Sequence, residues 1–371
     1  MRAIAVVPGR KEVKLVDQPE PRITAPTEVK LRMLEVGVCG TDREICSFQY
    51  GTPPAGADHL VIGHESLGEV IEVGPEVARL RRGDLVVPTV RRRCPHPECV
   101  ACRAGRRDFC TTGDFTERGI KQAHGFMTQM VVDDEIDMNL VPRELREVAV
   151  LVEPLTIAEK ALIQVNQIQE RLPWTCPDHP GEKAAHCHRA LVLGAGPVGL
   201  LGAMALVVAG YRTFVYSRES ASDAKAKLVR SFGAGYISAA DTEVPDLPRE
   251  VGGNIDLIYE ATGASRLAFK AIEELGTNGI FVFTGVPGRK GPVGVDTDLI
   301  MRNLVLKNQV VFGTVNAGKE AFEAAIRDLG TFMKRFPAAV GAMITGRFPV
   351  EAHRDLLLGP PTGIKNVITL Q

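Results

Sequence analysis

Three separated segments of the chain carry side chains that together could bind one metal ion. The segments are Val38-Cys39-Gly40-Thr41-Asp42, Gly63-His64-Glu65 and Val152-Glu153-Pro154. Thiolate, imidazole and carboxylate ligands from different parts of a chain are typical of a catalytic zinc ion, which keeps one coordination position open for substrate. A lone His-Glu pair is more often a polar surface feature, and a lone cysteine is more often a small buried hydrophobe. The three segments together favour the zinc site.

Two further side chains could act beside this metal. Thr41 follows Cys39 closely, and a hydroxyl beside a metal ligand could relay the proton of a bound alcohol. Glu153 is flanked by Val152 and Leu155, and an ionised carboxylate in apolar surroundings needs a partner. A metal cation would be such a partner, whereas a solvated position on a helix is the alternative.

A second cluster contains four cysteines within residues 94–110. Cys99 and Cys102 form a Cys-x2-Cys pair, Cys94 stands before it, and Cys110 follows eight residues after it. Four soft ligands suit one tetrahedral zinc ion and leave no open position, so the site is predicted to be structural. His96 could replace Cys94 as the first ligand, because Cys94 stands five residues before Cys99.

A third group of cysteines and histidines lies in a proline-rich segment, residues 171–189. The group consists of Cys176, His179, His186, Cys187 and His188. A third metal site is one interpretation, but the spacing matches no ordinary zinc finger, and such loops hold ligands poorly without packed support. We therefore predict an exposed linker.

The elements that position these residues begin with short strands. Apolar and polar residues alternate over 3–7, 13–16, 29–33, 68–74 and 83–88, with glycine and proline between the runs. This pattern indicates short antiparallel strands in a small, barrel-like β-rich domain. Over residues 144–169 the apolar residues recur at intervals of three and four, which predicts a helix that contains Glu153.

A glycine-rich motif marks a second domain. Gly194-Ala195-Gly196-Pro197-Val198-Gly199 follows a strand pattern and opens an apolar helical stretch, which is the context in which this motif binds a dinucleotide. The glycines let a pyrophosphate approach the N-terminus of the helix. Strand and helix patterns alternate as far as residue 313, so we predict a doubly wound parallel sheet.

The end of the second strand of that sheet distinguishes the two nicotinamide cofactors. An acidic residue there would accept the ribose hydroxyls of NAD, but the chain has Tyr216-Ser217-Arg218-Glu219. Ser217 and Arg218 suit the 2′-phosphate of NADP, whereas Glu219 beside them suits NAD. NADP is the predicted cofactor, with NAD as the alternative.

Length and composition limit the remaining choices. The chain has 371 residues, 45% hydrophobic and 24% charged, which is enough for two domains. The net charge is −1, so no overall field favours nucleic acid or an acidic membrane. The longest apolar run, residues 198–209, is too short to span a bilayer. We expect a soluble cytoplasmic protein whose eight cysteines serve metals or catalysis rather than disulfides.

The last part of the chain returns to the pattern of the first domain. A helix is predicted over 319–336, and strand patterns follow at 347–350 and 365–370. We therefore predict a β-rich catalytic domain, 1–165 and 317–371, with a dinucleotide-binding domain inserted as 166–316. The metal and the nicotinamide would meet in a cleft between them. The loop of residues 111–130 could line this cleft or be a solvated surface.

These motifs resemble the zinc-dependent medium-chain alcohol dehydrogenase superfamily over essentially the whole chain. A narrower resemblance, to the glucose 1-dehydrogenases within it, rests on six short motifs. They are Arg91-Arg92-Arg93-Cys94, Asp108-Phe109-Cys110, Thr116-Glu117-Arg118-Gly119-Ile120, His124-Gly125-Phe126-Met127, Val152-Glu153-Pro154-Leu155 and Gly313-Thr314-Val315-Asn316.

The resemblance implies a fold, an activity and a set of site residues. The fold would be a GroES-like β-rich domain with an inserted Rossmann domain, and the activity would be oxidation of D-glucose at C1 to glucono-1,5-lactone with NADP+ or NAD+. Catalytic zinc would lie at Cys39, His64, Glu65 and Glu153, and structural zinc at Cys94, Cys99, Cys102 and Cys110. The sugar would contact Thr41, Thr89, Glu117, Glu153 and Asn316. The cofactor would contact Gly194, Gly196, Pro197, Val198, Gly199, Ser217, Arg218, Thr284, Gly285, Asn316 and Lys365.

Two other functions stay open at this point. One is a dehydrogenase of the same fold that acts on another sugar such as galactose, on a polyol, or on an amino alcohol such as threonine. The other is a dinucleotide-sensing protein without turnover, which the intact set of Cys39, His64 and Glu153 argues against. The expected partners are a small-molecule sugar and further copies of the chain in a homodimer or homotetramer, with no nucleic acid and no membrane.

Overall fold

The structure, a computed structural model, describes residues 1–177, 184–288 and 291–370. They divide into two compact units. The first contains Met1–Thr156, Asn316–Gly330 and Met343–Gln371, and the second contains Ile157–Val315 and Thr331–Ala342. The first boundary between the two units falls between residues 156 and 157, whereas the sequence predicted it after residue 165. The second unit also includes Thr331–Ala342, which were predicted to belong to the first domain.

Strands account for most of the first unit and for the centre of the second. In chain order they are β1 (Arg2–Val7), β2 (Glu12–Asp17), β3 (Glu28–Gly37), β4 (Leu60–Val61), β5 (Glu65–Val73), β6 (Leu85–Pro88), β7 (Glu117–Arg118), β8 (Gln122–Ala123), β9 (Met130–Asp134), β10 (Met138–Val141), β11 (Arg189–Leu193), β12 (Arg212–Ser217), β13 (Gly235–Ser238), β14 (Leu257–Glu260), β15 (Ile280–Phe283), β16 (Val310–Gly313), β17 (Ile344–Pro349) and β18 (Lys365–Thr369).

The helices of the described residues vary from one turn to five. They are α1 (Gly40–Cys46), α2 (Val100–Arg103), α3 (Val152–Gln169), α4 (Pro197–Ala209), α5 (Ala224–Ser231), α6 (Leu247–Val251), α7 (Ser265–Glu273), α8 (Thr297–Leu306), α9 (Lys319–Arg335), α10 (Pro337–Met343) and α11 (His353–Leu358). No helix within the described ranges is both long enough and apolar enough to cross a bilayer.

The first unit is β-rich, as predicted. Its largest sheet has the order β10-β6-β5-β3-β18-β17, with β9 also paired to β3, and a smaller sheet has the order β2-β1-β4. The central strand β3 is almost wholly buried, with Leu31 and Met33 at 0% exposure. Ile62 and Phe126 pack in the same apolar core. Burial of these side chains fixes the register of the strands that lead to Cys39 and Glu65.

The second unit confirms the predicted doubly wound parallel sheet. Its order is β13-β12-β11-β14-β15-β16, and every neighbouring pair is parallel. The residues Ala190, Leu191, Val192 and Leu193 of β11 are all fully buried, as expected for a parallel strand that is covered on both faces. The order of the strands reverses between β11 and β14, where dinucleotides bind in this type of sheet.

The helix that contains Glu153 is shorter than predicted. Two 3-10 turns, Arg143–Leu145 and Ala149–Leu151, precede α3, which begins at Val152. Pro154 is compatible with this start, because the first turn of a helix does not use its backbone N–H groups. Glu153 is therefore a first-turn residue and not a mid-helix one.

The proline-rich segment contains a disulfide, whereas the eight cysteines were expected to serve metals or catalysis. Cys176 and Cys187 are joined, with their Cα atoms 5.6 Å apart. Cys176 is buried, so the predicted exposed linker is wrong at that position, while His186 and Cys187 are exposed. The disulfide also removes both cysteines from the alternative of a third metal site. His179 lies outside the described residues.

Candidate active site

Three of the four predicted catalytic zinc ligands meet in the first unit. Potential ligand atoms of Cys39, His64 and Glu65 lie within 4.8 Å of one another. His64 and Glu65 are buried, and Cys39 is half-buried. One sulfur, one nitrogen and one oxygen donor at this spacing suit zinc, so the residues present fit the predicted ion.

Cys39 is placed by the turn between β3 and α1. It is the N-cap residue of α1, and its backbone N–H donates to Oδ2 of Asp42 at 2.9 Å. The side chain of Asp42 thus closes the first turn of the helix. Thr41, the predicted proton relay, is half-buried in the same turn.

His64 and Glu65 are placed by a glycine in the left-handed region. Gly63 has a φ of 89°, and a Cβ there would lie 2.5 Å from Cγ of Met127 and 2.9 Å from Cγ1 of Val36. Any other residue would meet both the backbone strain and the two side chains. The Gly-His-Glu spacing therefore has a steric cause in the core of the unit.

Asp42 lies next to the imidazole ring of His64. Its Oδ1 is 3.4 Å from Nδ1 of His64, and neither atom has a hydrogen-bond partner in the described residues. Burial opposes a charge on His64, but Asp42 and Cys39 outweigh it and raise the pKa of His64. A carboxylate beside one nitrogen of a metal-binding histidine commonly fixes the ring and its tautomer. Asp42 was not among the predicted site residues, although its position three residues after Cys39 matches a helix-capping pattern.

Lys365 belongs to this cluster. The resemblance assigned it to the cofactor, but its ammonium group is buried, forms an ion pair with Glu65 and donates to the carbonyl of Val38 at 3.2 Å. Burial disfavours the charge of Lys365, yet Glu65 and Cys39 outweigh it and raise its pKa. A Cβ on Gly37 would lie 2.4 Å from Oε2 of Glu65, so the glycine makes room for this pair. In the structure Lys365 is therefore a neighbour of the candidate metal ligands.

Glu153 lies outside the group of three but close to it. It is 8% exposed, and burial raises its pKa to about 7, with His64 acting in the opposite direction and Glu65 in the same direction. Glu153 is therefore within electrostatic range of His64 and Glu65. The structure thus brings it near the three ligands without placing it among them.

Two of the predicted sugar-binding residues are in direct contact. Nδ2 of Asn316 donates to Oε1 of Glu117 at 3.0 Å, and Nε of Arg91 donates to the same oxygen at 3.0 Å. Glu117 and Arg91 are both buried. Arg91 was not predicted as a site residue, because an arginine in a run of three gives no signal of a buried partner.

Thr89 has a different environment. Its hydroxyl donates to Oδ1 of Asp137 at 3.2 Å and accepts from Arg92 at 3.1 Å. These bonds belong to a partly buried network of ion pairs that also contains Asp133 and Arg118. The side chain of Thr89 therefore bonds to this network rather than to Glu117 or Asn316.

The four cysteines of residues 94–110 form a closed cluster. Sγ of Cys94 lies 3.6 Å from Sγ of Cys102, and Sγ of Cys99 lies 3.9 Å from Sγ of Cys110. Four sulfurs at Zn–S distances of about 2.3 Å in a tetrahedron are about 3.8 Å apart, so the cluster fits a structural zinc ion. Backbone N–H groups of Cys102 and Thr111 lower the pKa of Cys99 to about 6, which favours the thiolate that zinc binds.

The structure also distinguishes between the two candidates for the first ligand of this cluster. Cys94 is fully buried among the other sulfurs, whereas the ring of His96 bonds to the exposed carboxylate of Asp114. His96 therefore lies outside the cluster, and Cys94 is the first of the four sulfur ligands in chain order.

The glycine-rich loop in the second unit fits a dinucleotide. Gly194 has a φ of 104°, and a Cβ on Gly199 would lie 2.1 Å from the carbonyl oxygen of Gly194. The space where Gly196 would carry a Cβ is open to 4 Å. Helix α4 begins directly after it, with Pro197 and Val198 in its first turn, so its N-terminal N–H groups can meet a pyrophosphate. Thr284 and Gly285, also predicted cofactor residues, follow β15.

The predicted phosphate-binding residues at the end of β12 are not both available. Arg218 is exposed, but the hydroxyl of Ser217 donates to Oε2 of Glu219, whose Oε1 accepts from Lys225 at 2.7 Å. Burial raises the pKa of Glu219, but Lys225 and Ser217 outweigh it and lower that pKa to about 2. Lys225 was not predicted as a site residue, because it lies on the next helix and no motif connects it with Glu219.

Comparisons with known proteins agree with this geometry. Residues 146–370 match the family model "Glucose dehydrogenase C-terminus", and residues 25–143 match "Alcohol dehydrogenase GroES-like domain". The glucose 1-dehydrogenase of Methanocella arvoryzae is 40% identical, over 100% of this chain and 99% of that protein. The glucose 1-dehydrogenase of Thermoproteus tenax is 37% identical, over 100% of both chains.

A solved structure gives the same result. It is described as Haloferax mediterranei glucose dehydrogenase in complex with NADP, Zn and gluconolactone, and it is 33% identical to this chain, with a TM-score of 0.87. The similarity covers 100% of this chain and 99% of that one. The chain therefore belongs to the glucose dehydrogenase family, whose amino-terminal part is a GroES-like alcohol dehydrogenase domain.

Proposed function

We propose that this chain is a glucose 1-dehydrogenase, which oxidises D-glucose at C1 to glucono-1,5-lactone and transfers the hydride to NADP+ or NAD+. The observation that carries the proposal is the cluster of Cys39, His64 and Glu65 in the unit that also holds Glu117 and Asn316. The names of the full-length relatives and the ligands of the Haloferax structure support it.

Two groups would supply the chemistry that side chains lack. Zinc held by Cys39, His64 and Glu65, with Glu153 beside them, would polarise the anomeric hydroxyl as a Lewis acid. A nicotinamide dinucleotide held at Gly194, Gly196 and Gly199 would accept the hydride. In this proposal the first unit is the catalytic domain and the second is the dinucleotide-binding domain.

The chain's own residues would bind and orient the sugar. Within the described residues Asn316 and Arg91 both donate to Oε1 of Glu117, which would leave Oε2 to accept a sugar hydroxyl. Thr41 is half-buried beside Cys39 and would take the first position of a route for the departing proton. Asp42 lies next to Nδ1 of His64, so it would orient the ring with Nε2 as the metal-binding nitrogen. The cysteines 94, 99, 102 and 110 would bind a second, structural zinc.

A sugar panel tests the proposed substrate. Glucose, galactose, xylose and threonine are assayed with NADP+ and with NAD+, by absorbance of the reduced nicotinamide. We expect the highest kcat/KM for glucose. A higher value for another substrate would identify a dehydrogenase of different specificity. No turnover on any alcohol, with two zinc ions per chain, would instead support a dinucleotide-sensing protein.

Variants of two cysteines test the catalytic metal. Cys39→Ala should abolish turnover and lower the zinc content by one ion per chain, because a ligand is lost. Cys46 ends the helix that Cys39 caps, is buried and is outside both metal clusters, so Cys46→Ala is the matched control. Normal turnover in Cys39→Ala would contradict the zinc assignment.

We also propose that the chain assembles as a homodimer or homotetramer. Helix α8 exposes Met301, Val305 and Leu306, at 64%, 70% and 66%. Strand β16 is an edge strand of the sheet of the second unit, with one row of backbone groups available for pairing. Light scattering should give a mass that is a multiple of the monomer mass. Val305→Glu should lower the measured mass. A monomer at micromolar concentration would contradict this part of the proposal.

A further inference from the structure

One buried carboxylate of the second unit has no part in the proposed chemistry. Glu260 is the last residue of β14 and is 1% exposed. Its neighbours across the sheet are Leu193 at the end of β11 and Phe283 at the end of β15. Glu260 therefore ends its strand where the strand order reverses, at the edge of the sheet where dinucleotides bind.

Four hydrogen bonds from two loops satisfy this carboxylate. Oε1 accepts from the N–H groups of Thr262 at 2.6 Å and Gly263 at 2.8 Å, and from the hydroxyl of Thr262 at 2.5 Å. Oε2 accepts from the N–H of Gly285 at 3.2 Å. A buried ionised carboxylate is costly unless its oxygens are paired, and here the pairing holds the loops after β14 and β15 to one group.

The same residues pack against the glycine-rich loop. A Cβ on Gly194 would lie 2.7 Å from Cγ2 of Thr262, so Thr262 touches this loop directly. A Cβ on Gly285 would lie 2.1 Å from the backbone nitrogen of Gly263, so the other two loops also touch each other. Three loops that follow three adjacent strands thus meet around one side chain.

We propose that Glu260 is a positioning residue for the dinucleotide, whose carboxylate holds residues 261–264 and 284–286 against the glycine-rich loop. The proposal rests on the proposed function only in that the site binds a nicotinamide dinucleotide. A purely structural carboxylate would change the stability of the second unit and leave the affinity for the dinucleotide unchanged.

Glu260→Gln tests this role. The variant keeps the size of the side chain but turns an amide NH2 toward groups that are themselves donors. We expect the Kd for NADPH, measured by the fluorescence of the bound nicotinamide, to rise about tenfold, as for the loss of hydrogen bonds to a charged group. The zinc content and the KM for glucose should stay at their wild-type values.

Asp256→Asn is the matched control. Asp256 precedes the other end of β14, where it accepts from the backbone N–H of Arg189 at 2.8 Å and from Nδ2 of Asn254 at 2.7 Å. It has the same type of bonds at the opposite edge of the sheet, so its variant should bind NADPH normally. Normal affinity in Glu260→Gln, or an equal loss in Asp256→Asn, would overturn the proposal.

A pair of variants at Thr262 covers the case in which Glu260→Gln does not fold. Thr262→Ser keeps the hydroxyl that donates to Glu260, whereas Thr262→Val keeps the shape and loses the hydroxyl. We expect weaker binding of NADPH by the valine variant only. Equal affinity in both would overturn the proposal. If the wild-type protein binds neither NADPH nor NADH, the proposed function fails instead.

Discussion

Glu219 lies at the end of β12 between a hydroxyl and an ammonium group. Ser217 donates to one oxygen of its carboxylate and Lys225 to the other. An unpaired carboxylate at this position would repel the 2′-phosphate of NADP and accept the ribose hydroxyls of NAD. Lys225 partly neutralises that carboxylate, so Lys225 and Arg218 together would set the preference between the two cofactors.

Lys225→Ala should shift this preference toward NAD+. We expect the KM for NADP+ to rise about fivefold, in line with the small energy of a partly exposed ion pair, while the KM for NAD+ changes little. Arg218→Ala should have a larger effect on NADP+, about tenfold or more, if its guanidinium binds the phosphate directly. The measurement is kcat/KM for both cofactors at saturating glucose.

Lys227→Ala provides the control, because Lys227 is on the same helix α5 and is exposed. It should leave the ratio of the two kcat/KM values unchanged. Glu219→Gln should lower the KM for NADP+. An unchanged ratio in both Lys225→Ala and Arg218→Ala would remove the physical basis for NADP as the preferred cofactor.

At the scale of single residues, the sequence predicted those site residues whose positions are set by short local motifs. Cys39, His64 and Glu65 stand in short motifs whose turns fix the side chains, and the structure brings them together. Lys365 could not be placed in this way, since its partner Glu65 is 300 residues away in sequence. Its position depends on the pairing of β18 with β3, which no motif encodes.

Helix α2 and the loops around it depend on four cysteines for their packing. Among the hydrophobic residues of the described ranges, Ala101 is the one besides these cysteines that packs against their cluster. Cys102→Ser should therefore lower the free energy of unfolding by several kcal/mol and remove one zinc per chain, because a structural metal is lost. Turnover per folded molecule should stay largely intact. The measurements are denaturant unfolding, zinc content and kcat.

His96→Ala is the control for this cluster. His96 faces Asp114 rather than the sulfurs, so its variant should retain both zinc ions and the stability of the wild type. Loss of one zinc in His96→Ala would contradict the assignment of Cys94, rather than His96, as a ligand of this zinc. An unchanged unfolding midpoint in Cys102→Ser would contradict the structural role of the site.

The segment between α3 and β11 is closed by the disulfide of Cys176 and Cys187. A cross-link over 11 residues should stabilise the second unit by about 2–3 kcal/mol, so Cys176→Ser combined with Cys187→Ser should lower its Tm by several degrees. Trp174, the single tryptophan, stands two residues before Cys176 and reports on this segment by fluorescence. The denatured, zinc-free wild type should contain six free thiols, and eight would contradict the disulfide.

At the scale of elements, periodicity predicted strands and helices better than their ends or their cross-links. The continuous apolar pattern of β11 and the helix after it gave the parallel sheet, since burial on both faces leaves little ambiguity. Helix α3 was predicted eight residues too long at its start, because the 3-10 turns before it share its apolar spacing. The disulfide was missed because cysteine pairing depends on tertiary structure and not on spacing.

At the scale of the whole molecule, charge is balanced overall but paired unevenly. The net charge is −1, so overall charge repulsion has little effect on stability. The strongest pairs are partly buried in the first unit, where Asp133 accepts from Arg118 at 2.9 and 2.7 Å and from Arg92. Asp137 also pairs with Arg92 and Arg107 in the same network.

This network predicts how the stability of the molecule falls in acid. Burial raises the pKa of Asp133, but Arg118 and Arg92 outweigh it and lower that pKa from 3.8 to about 2. Because the folded pKa lies below the unfolded one, the stabilisation is fully present above pH 3.8 and is lost as the pH falls toward 2. Asp133→Asn should thus cost on the order of 2 kcal/mol at neutral pH, and less at pH 3. Urea unfolding from pH 7 to pH 3 measures the difference. Asp246 forms an exposed pair with Arg249, so Asp246→Asn is the control and should lower the free energy of unfolding little at any pH. If Asp133→Asn lowers the free energy of unfolding by the same amount at pH 7 and at pH 3, the shape of Asp133 rather than its charge explains its role.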